Sequence, residues 1–145
     1  MTAPRWLVLT WRLPSASSTG RVATWRSLQR LGAVSLTPGA AIVPYGEHLL
    51  EQLEWIAEDI VQREGAAYVL PVTELPEADE EDIRRRMREE RRGEYERIRI
   101  AAQEVRNERG LAALRRGLAR AVERDHLGSS GRNAAERAVR RAQKE

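Results

Sequence analysis

Apolar and polar positions alternate at the start of the chain. From Arg5 to Leu13, Leu7, Leu9, Trp11 and Leu13 fall on one side, and Trp6, Val8, Thr10 and Arg12 on the other. One side is wholly apolar and the other half apolar, the pattern of a central strand. Pro14 ends it, and the Ser-rich loop to Gly20 offers helix N-caps. The period then lengthens. Val22, Trp25, Leu28 and Leu31 recur at three-residue steps and predict a helix over 21–31, with Gly32 as its C-cap. Two short strands follow, 33–37 and 40–44, joined at the turn dipeptide Pro38-Gly39 into a hairpin. From Gly46 the helical period returns through Leu49, Leu50, Leu53, Ile56, Ala57 and Ile60, and Gly65 closes it. The outer face of that helix carries Glu47, Glu51, Glu54 and Glu58. A fourth strand covers 66–72, where Pro71 suits a sheet edge or a strand end.

The order β-α-β-β-α-β predicts an α+β fold, a ferredoxin-like βαββαβ sandwich over residues 1–76. Its four-stranded antiparallel sheet carries two helices on one face. The other face, to which Trp6 and Val8 point, is expected to be covered. After residue 76 the pattern is helical only, an Arg-rich all-helical extension over 77–145. Helices are expected at about 79–108, 111–126 and 133–143, with a bend at Gly93, a break at Gly110 and Asn133 as the last N-cap. Trp11, Trp25 and Trp55 have core-like spacings, which leaves Trp6 as the tryptophan for an interface.

Charge sharpens this division. The net charge of +3 conceals +5 over residues 1–45, −11 over 46–82 and +9 over 83–145. Such a chain can bind a polyanion with one part, or pair the acidic block of one copy with the basic block of another. Lys144 is the only lysine, and every other base is Arg, which suits bidentate contact with phosphate or other oxyanions. A GC-rich genome would also favour Arg over Lys, but it does not explain the clustering. No uncharged apolar run reaches the roughly 20 residues of a membrane span, and the start lacks a signal-peptide pattern. A cytoplasmic protein is expected.

The chemistry is sparse. There is no Cys, hence no thiolate and no Cys-held metal. His48 and His126 stand far apart, each readable as a solvated or helix-end residue. No Gly-rich phosphate loop follows the first strand, and the loop serines lack a matching His and carboxylate. No catalytic residue, metal site or cofactor is predicted, and the chain reads as a non-enzyme. Two Arg groups are candidates for binding. The run Arg84, Arg85, Arg88, Arg91 and Arg92 could lie along a DNA backbone, or could be a solvated helix surface paired with the upstream acids of 79–82 and with Glu89, Glu90 and Glu94. Arg12, Arg21, Arg26 and Arg30 could hold a small oxyanion at a helix N-terminus, or be ordinary surface arginines.

Several stretches carry a resemblance. Trp6-Leu-Val-Leu-Thr-Trp-Arg-Leu-Pro14, Arg21-Val-x-x-Trp-Arg-x-Leu-x-x-Leu-Gly-Ala-Val34 and Ile42-Val-Pro44 resemble the N-terminal domain of the chromate resistance protein ChrB family. Glu47-His with Leu53-Glu-Trp-Ile-Ala57, Glu77-Ala-Asp-Glu-Glu-Asp-Ile83 and Arg124-Asp125 fit the same pattern. Where that family tends to an aromatic pair after Arg124-Asp125, this chain has His126-Leu127. More distantly the first half is similar to PaaX-type repressors and to a small CRISPR-associated nuclease. The nuclease carries an Asp at the end of its first strand, where Arg12-Leu13-Pro14 stands here, so nuclease activity is not expected.

The resemblance implies a regulator, or regulator subunit, of a chromate or oxyanion resistance operon, with DNA as partner and chromate or a similar oxyanion as effector. The family's second, C-terminal domain is not expected within these 145 residues. That points to a homodimer or to a partner carrying the missing domain. The alternative is a non-catalytic interaction module that dimerises and binds no nucleic acid.

Overall fold

In the computed structural model, which describes residues 2–144, the first-strand alternation becomes the spine of a sheet. β1 (Trp6–Arg12) lies between β3 (Ala40–Pro44) and β4 (Ala66–Val72), antiparallel to both, and β2 (Val34–Thr37) pairs with β3. The strand order is β2-β3-β1-β4. With α1 (Ser18–Arg30) and α2 (Glu47–Gln62) inserted after β1 and β3, this is the predicted α+β sandwich. The chain divides into two compact units, 1–81 and 82–145.

In the first unit, the core is the sheet face formed by Leu7, Leu9, Ala41 and Val43, closed by Leu28 of α1 and Leu53 and Ile60 of α2. Leu7, Leu9, Leu28, Leu53 and Ile60 are among the positions the period-two and period-3.6 patterns place inward. Pro38-Gly39 turns the β2–β3 hairpin as expected. Gly39 adopts φ +84°, and a Cβ there would meet the Trp11 carbonyl oxygen at 2.7 Å. Trp11 N–H in turn donates to the Gly39 carbonyl at 2.8 Å, so the turn and the central strand approach backbone to backbone. β4 is an edge strand, which accommodates Pro71 because no second partner needs its missing N–H. The opposite sheet face is covered only in part. Trp6, Val34 and Ile42 are buried, while Tyr68 and Leu70 on β4 are exposed.

Trp11 packs against the core as its spacing predicts, and the other three tryptophans fall otherwise. Trp6, expected at an interface, is 2% exposed; Trp25 and Trp55, expected in the core, are 37% and 66% exposed. The reason lies in how the helices are rotated. α1 buries Gly20, Thr24 and Leu28, a stripe of mostly small groups at four-residue steps, rather than Val22 and Trp25. Small residues let the backbone come close, and the bulky side chains are carried to the rim.

In the second unit, residues 82–104 of α3 (Glu77–Glu104) are joined by α4 (Glu108–Glu123) and α5 (Arg132–Gln143). Tyr95, Ile98, Ala102, Leu111, Ala121, Ala135, Ala138 and Val139 form its core. Three boundaries differ from expectation. α3 runs through Gly93 without interruption. The break falls at 105–107 rather than at Gly110, because Asn107 is the N-cap and its side chain accepts from Gly110 N–H at 2.7 Å. Gly131, at φ +97°, is the N-cap of α5 in place of Asn133.

Candidate nucleic-acid interface

α3 opens with Glu77, Asp79 and Glu80, the charge order that favours a helix N-terminus. Its arginines follow one turn later, and the helix sorts them by face. Ile83 and Met87 point inward, so Arg85, Arg88 and Arg92, at steps of three and four, share the outward side. Arg85 pairs with Asp82, which also lies 3.9 Å from Arg86. Arg84 is half-buried. Arg88 and Arg92 are exposed and make no ion pair among the described residues.

Arg91 does not join them. Its side chain is largely withdrawn from solvent, with Nη1 3.4 Å from Glu94 Oε2 and Nη2 3.7 Å from Glu90. Burial lowers its pKa, Glu94 works against that shift, and the neighbouring Arg124 reinforces it. Among the five arginines of the run, Arg91 is therefore a structural charge rather than an outward one.

Glu94 is the centre of a network that the residue pattern did not reveal. It is 9% exposed and accepts from Arg124, whose Nε lies 3.1 Å from Oε2 and whose Nη2 bonds Oε1. The next residue on each side repeats the link: Tyr95 Oη, on α3, donates to Asp125 Oδ2, just after α4, at 2.8 Å. Asp125 also accepts from Ser129 N–H at 3.0 Å and from Ser129 Oγ at 2.9 Å. Burial pushes Asp125 upward, but the Ser129 and Tyr95 bonds outweigh it, and its carboxyl ends below the usual range. Burial first, then the Asp125 contact, pushes the Tyr95 hydroxyl well above the usual phenol value. The signal available in the sequence was Tyr95 on the apolar stripe together with the Arg124-Asp125 pair thirty residues on.

The second arginine group lies in the first unit. Arg12, Arg21, Arg26 and Arg30 are all exposed. Arg21 Nη1 donates to the Pro14 carbonyl at 3.4 Å and to the Ser15 carbonyl at 3.2 Å, which ties it to the loop after Arg12. Arg26 and Arg30 sit one turn apart on the outer face of α1. At the α3–α4 break a cavity of about 630 Å³ is floored by Ala102, Leu111 and Ala138. Its charged lining is two guanidiniums, Arg106 and Arg141, and one carboxylate, Glu108. Among the described residues no cluster of three or more His, Asp or Glu could hold a metal ion. Among the described residues no helix is long and apolar enough to cross a membrane.

Residues 21–108 match the family described as "Protein ChrB, N-terminal". A 79-residue segment is 33% identical to Protein ChrB of Cupriavidus metallidurans (strain ATCC 43123 / DSM 2839 / NBRC 102507 / CH34). The match covers 54% of this chain and 24% of that protein, so the chain spans about a quarter of its curated relative's length. No solved structure gives a significant match.

Proposed function

The chain belongs to the ChrB N-terminal domain family, and from that membership we infer a regulator, or regulator subunit, of a chromate or related oxyanion resistance operon that binds DNA. The observation that carries this reading is the outward side of α3. Arg88 and Arg92 lie exposed one turn apart without an acidic partner among the described residues, beside Arg85, which shares Asp82 with Arg86. Guanidinium groups that are not neutralised within their own chain are available to phosphates, and each contact releases a counterion from DNA. Arg84 flanks this face. Arg91 is assigned to the fold instead, held by Glu94. The effector would be an oxyanion met by arginines of the first unit, where Arg12, Arg26 and Arg30 stand exposed within a segment, 1–45, that holds no acid.

The test is a fluorescence-anisotropy titration of the whole chain. Its probes are the duplex upstream of its own operon and a scrambled duplex, from about 50 to about 300 mM salt, with and without chromate. Tighter binding to the native duplex, released by chromate, is the expected result. Equal, salt-steep binding to both duplexes would leave a polycation without an operator. No binding at low salt would overturn the reading.

A further inference from the structure

α2 and α4 are both 16-residue helices, one in each unit, and they carry opposite charges at the same spacing. On α2, Glu47, Glu51, Glu54 and Glu58 occupy steps of 0, 4, 7 and 11. On α4, Arg109, Ala113, Arg116 and Arg120 occupy the same steps. All eight side chains are exposed. None of the seven charged ones makes an ion pair among the described residues. The steps form one straight stripe about 16 Å long on an α-helix.

The series 0, 4, 7, 11 reads the same in both directions. Laid side by side, the two helices therefore match whether they run parallel or antiparallel. The single uncharged position, Ala113, then faces Glu51 or Glu54, and both flank Trp55 on α2. Trp55 is 66% exposed, an unusual place for so large an apolar surface. Ala113 leaves room for the indole, and a neighbouring guanidinium can stack on it.

We propose that the α2 stripe with Trp55 is a docking surface for the α4 arginine stripe of a second copy of this chain. Each copy carries both stripes, so a two-fold pair makes the contact twice, α2 to the partner's α4 and the partner's α2 to α4. The charge blocks agree with this occupant. The stretch holding α2 is −11 and the stretch holding α4 is +9, so like surfaces repel and unlike ones attract. The proposal uses none of the α3 arginines assigned to DNA and is tested without nucleic acid, so either reading can fail alone.

The experiment is light-scattering mass after size exclusion of the whole chain at about 50 and about 500 mM salt, conditions that change charge screening severalfold. Two charge-reversed variants are compared, Glu51→Lys/Glu54→Lys/Glu58→Lys and Arg109→Glu/Arg116→Glu/Arg120→Glu, with circular dichroism to confirm that both fold. The expected result is twice the 16.5 kDa chain mass at low salt, falling to the single-chain mass at high salt. Each variant alone should stay monomeric at low salt, and an equimolar mixture should recover the dimer, because reversal on both sides restores attraction at both contacts. Trp55→Ala should weaken the wild-type dimer. A wild-type monomer at low salt, a dimer that neither variant disturbs, or a mixture that stays monomeric would each overturn the proposal.

Discussion

Arg124 reaches back thirty residues to grip both oxygens of Glu94, and the residue after each makes a second link, Tyr95 to Asp125. Two adjacent positions on α3 thus fix the chain just after α4. Glu94 also faces Arg91. Removing the carboxylate therefore leaves two guanidiniums facing each other, whereas removing Arg124 leaves Glu94 still paired. Glu94→Ala is expected to cost about 2–4 kcal/mol and Arg124→Ala about 1–2, values below those of fully buried pairs because the arginine remains partly solvated. Urea unfolding of both variants checks the order; equal losses would show that Arg91 does not share Glu94.

The Tyr95–Asp125 link makes a pH prediction. Asp125 is held below its usual pKa in the folded chain, so its ionised form favours folding. That stability is present above the unfolded carboxyl value of about 3.9 and is lost as pH falls through the lower folded value. Tyr95 is shifted the other way. Its contribution is present below the unfolded phenol value of about 10 and is lost as pH rises beyond it. Stability measured by urea midpoint at stepped pH should fall at both ends. Asp125→Asn should flatten the acid limb, and Tyr95→Phe should remove the alkaline fall. A wild-type alkaline limb retained in Tyr95→Phe would assign that loss to other groups.

How much of this was legible in the sequence depends on the range of the interaction. The sheet was legible because a period of two over seven residues, with Pro14 and Pro38-Gly39 as punctuation, leaves few other readings. α2 was legible because Leu53 and Ile60 are unambiguous inward positions. α1 was legible as a helix but its buried face was not, since Val22, Trp25, Leu28 and Leu31 make a better apolar stripe than the Gly20, Thr24 and Leu28 it actually buries. Which stripe packs is settled by how close the helix must come, and periodicity carries no information on that. The same limit applies to the basic run. Sequence placed Arg91 among the outward arginines, but its direction is set by Glu94 and by Arg124 on another element. Gly110 looked like a break because glycine disfavours helix interiors, yet the stronger local signal was Asn107 three residues earlier.

The end of α2 supplies a backbone prediction. Glu64 N–H bonds the Val61 carbonyl at 3.0 Å and Gly65 N–H bonds the Ile60 carbonyl at 2.9 Å, the pair of bonds of a Schellman cap. The left-handed residue of that cap is Glu64, at φ 66°, not the glycine beside it. Gly65 is needed for another reason: a Cβ there would lie 2.4 Å from the Arg12 carbonyl oxygen. Glu64→Gly is therefore expected to stabilise by about 0.5–1 kcal/mol, and Glu64→Val to destabilise by about 1 kcal/mol or more. Gly65→Ala should destabilise more than either, since backbone must move. Thermal unfolding of the three variants reads the order directly, and a neutral Gly65→Ala would sink the close-approach argument.

The division of the α3 arginines makes the last prediction. Arg88 and Arg92 stand outward, while Arg91 between them is largely withdrawn from solvent, with Nη1 3.4 Å from Glu94 Oε2. If the outward pair contacts phosphate, Arg88→Ala and Arg92→Ala should each reduce the slope of log K against log salt by about 0.9, and do so equally on any duplex. Stability should hardly change, because neither side chain has an ion-pair partner to lose among the described residues. Arg91→Ala should do the reverse. It should leave the slope as it was and lower the unfolding midpoint, since Glu94 loses one of its two cations. A binding titration across salt and a urea melt, run on the same three variants, separate the two roles. An Arg91→Ala variant that weakens DNA binding as much as Arg88→Ala, at unchanged stability, would return Arg91 to the interface and remove it from the fold.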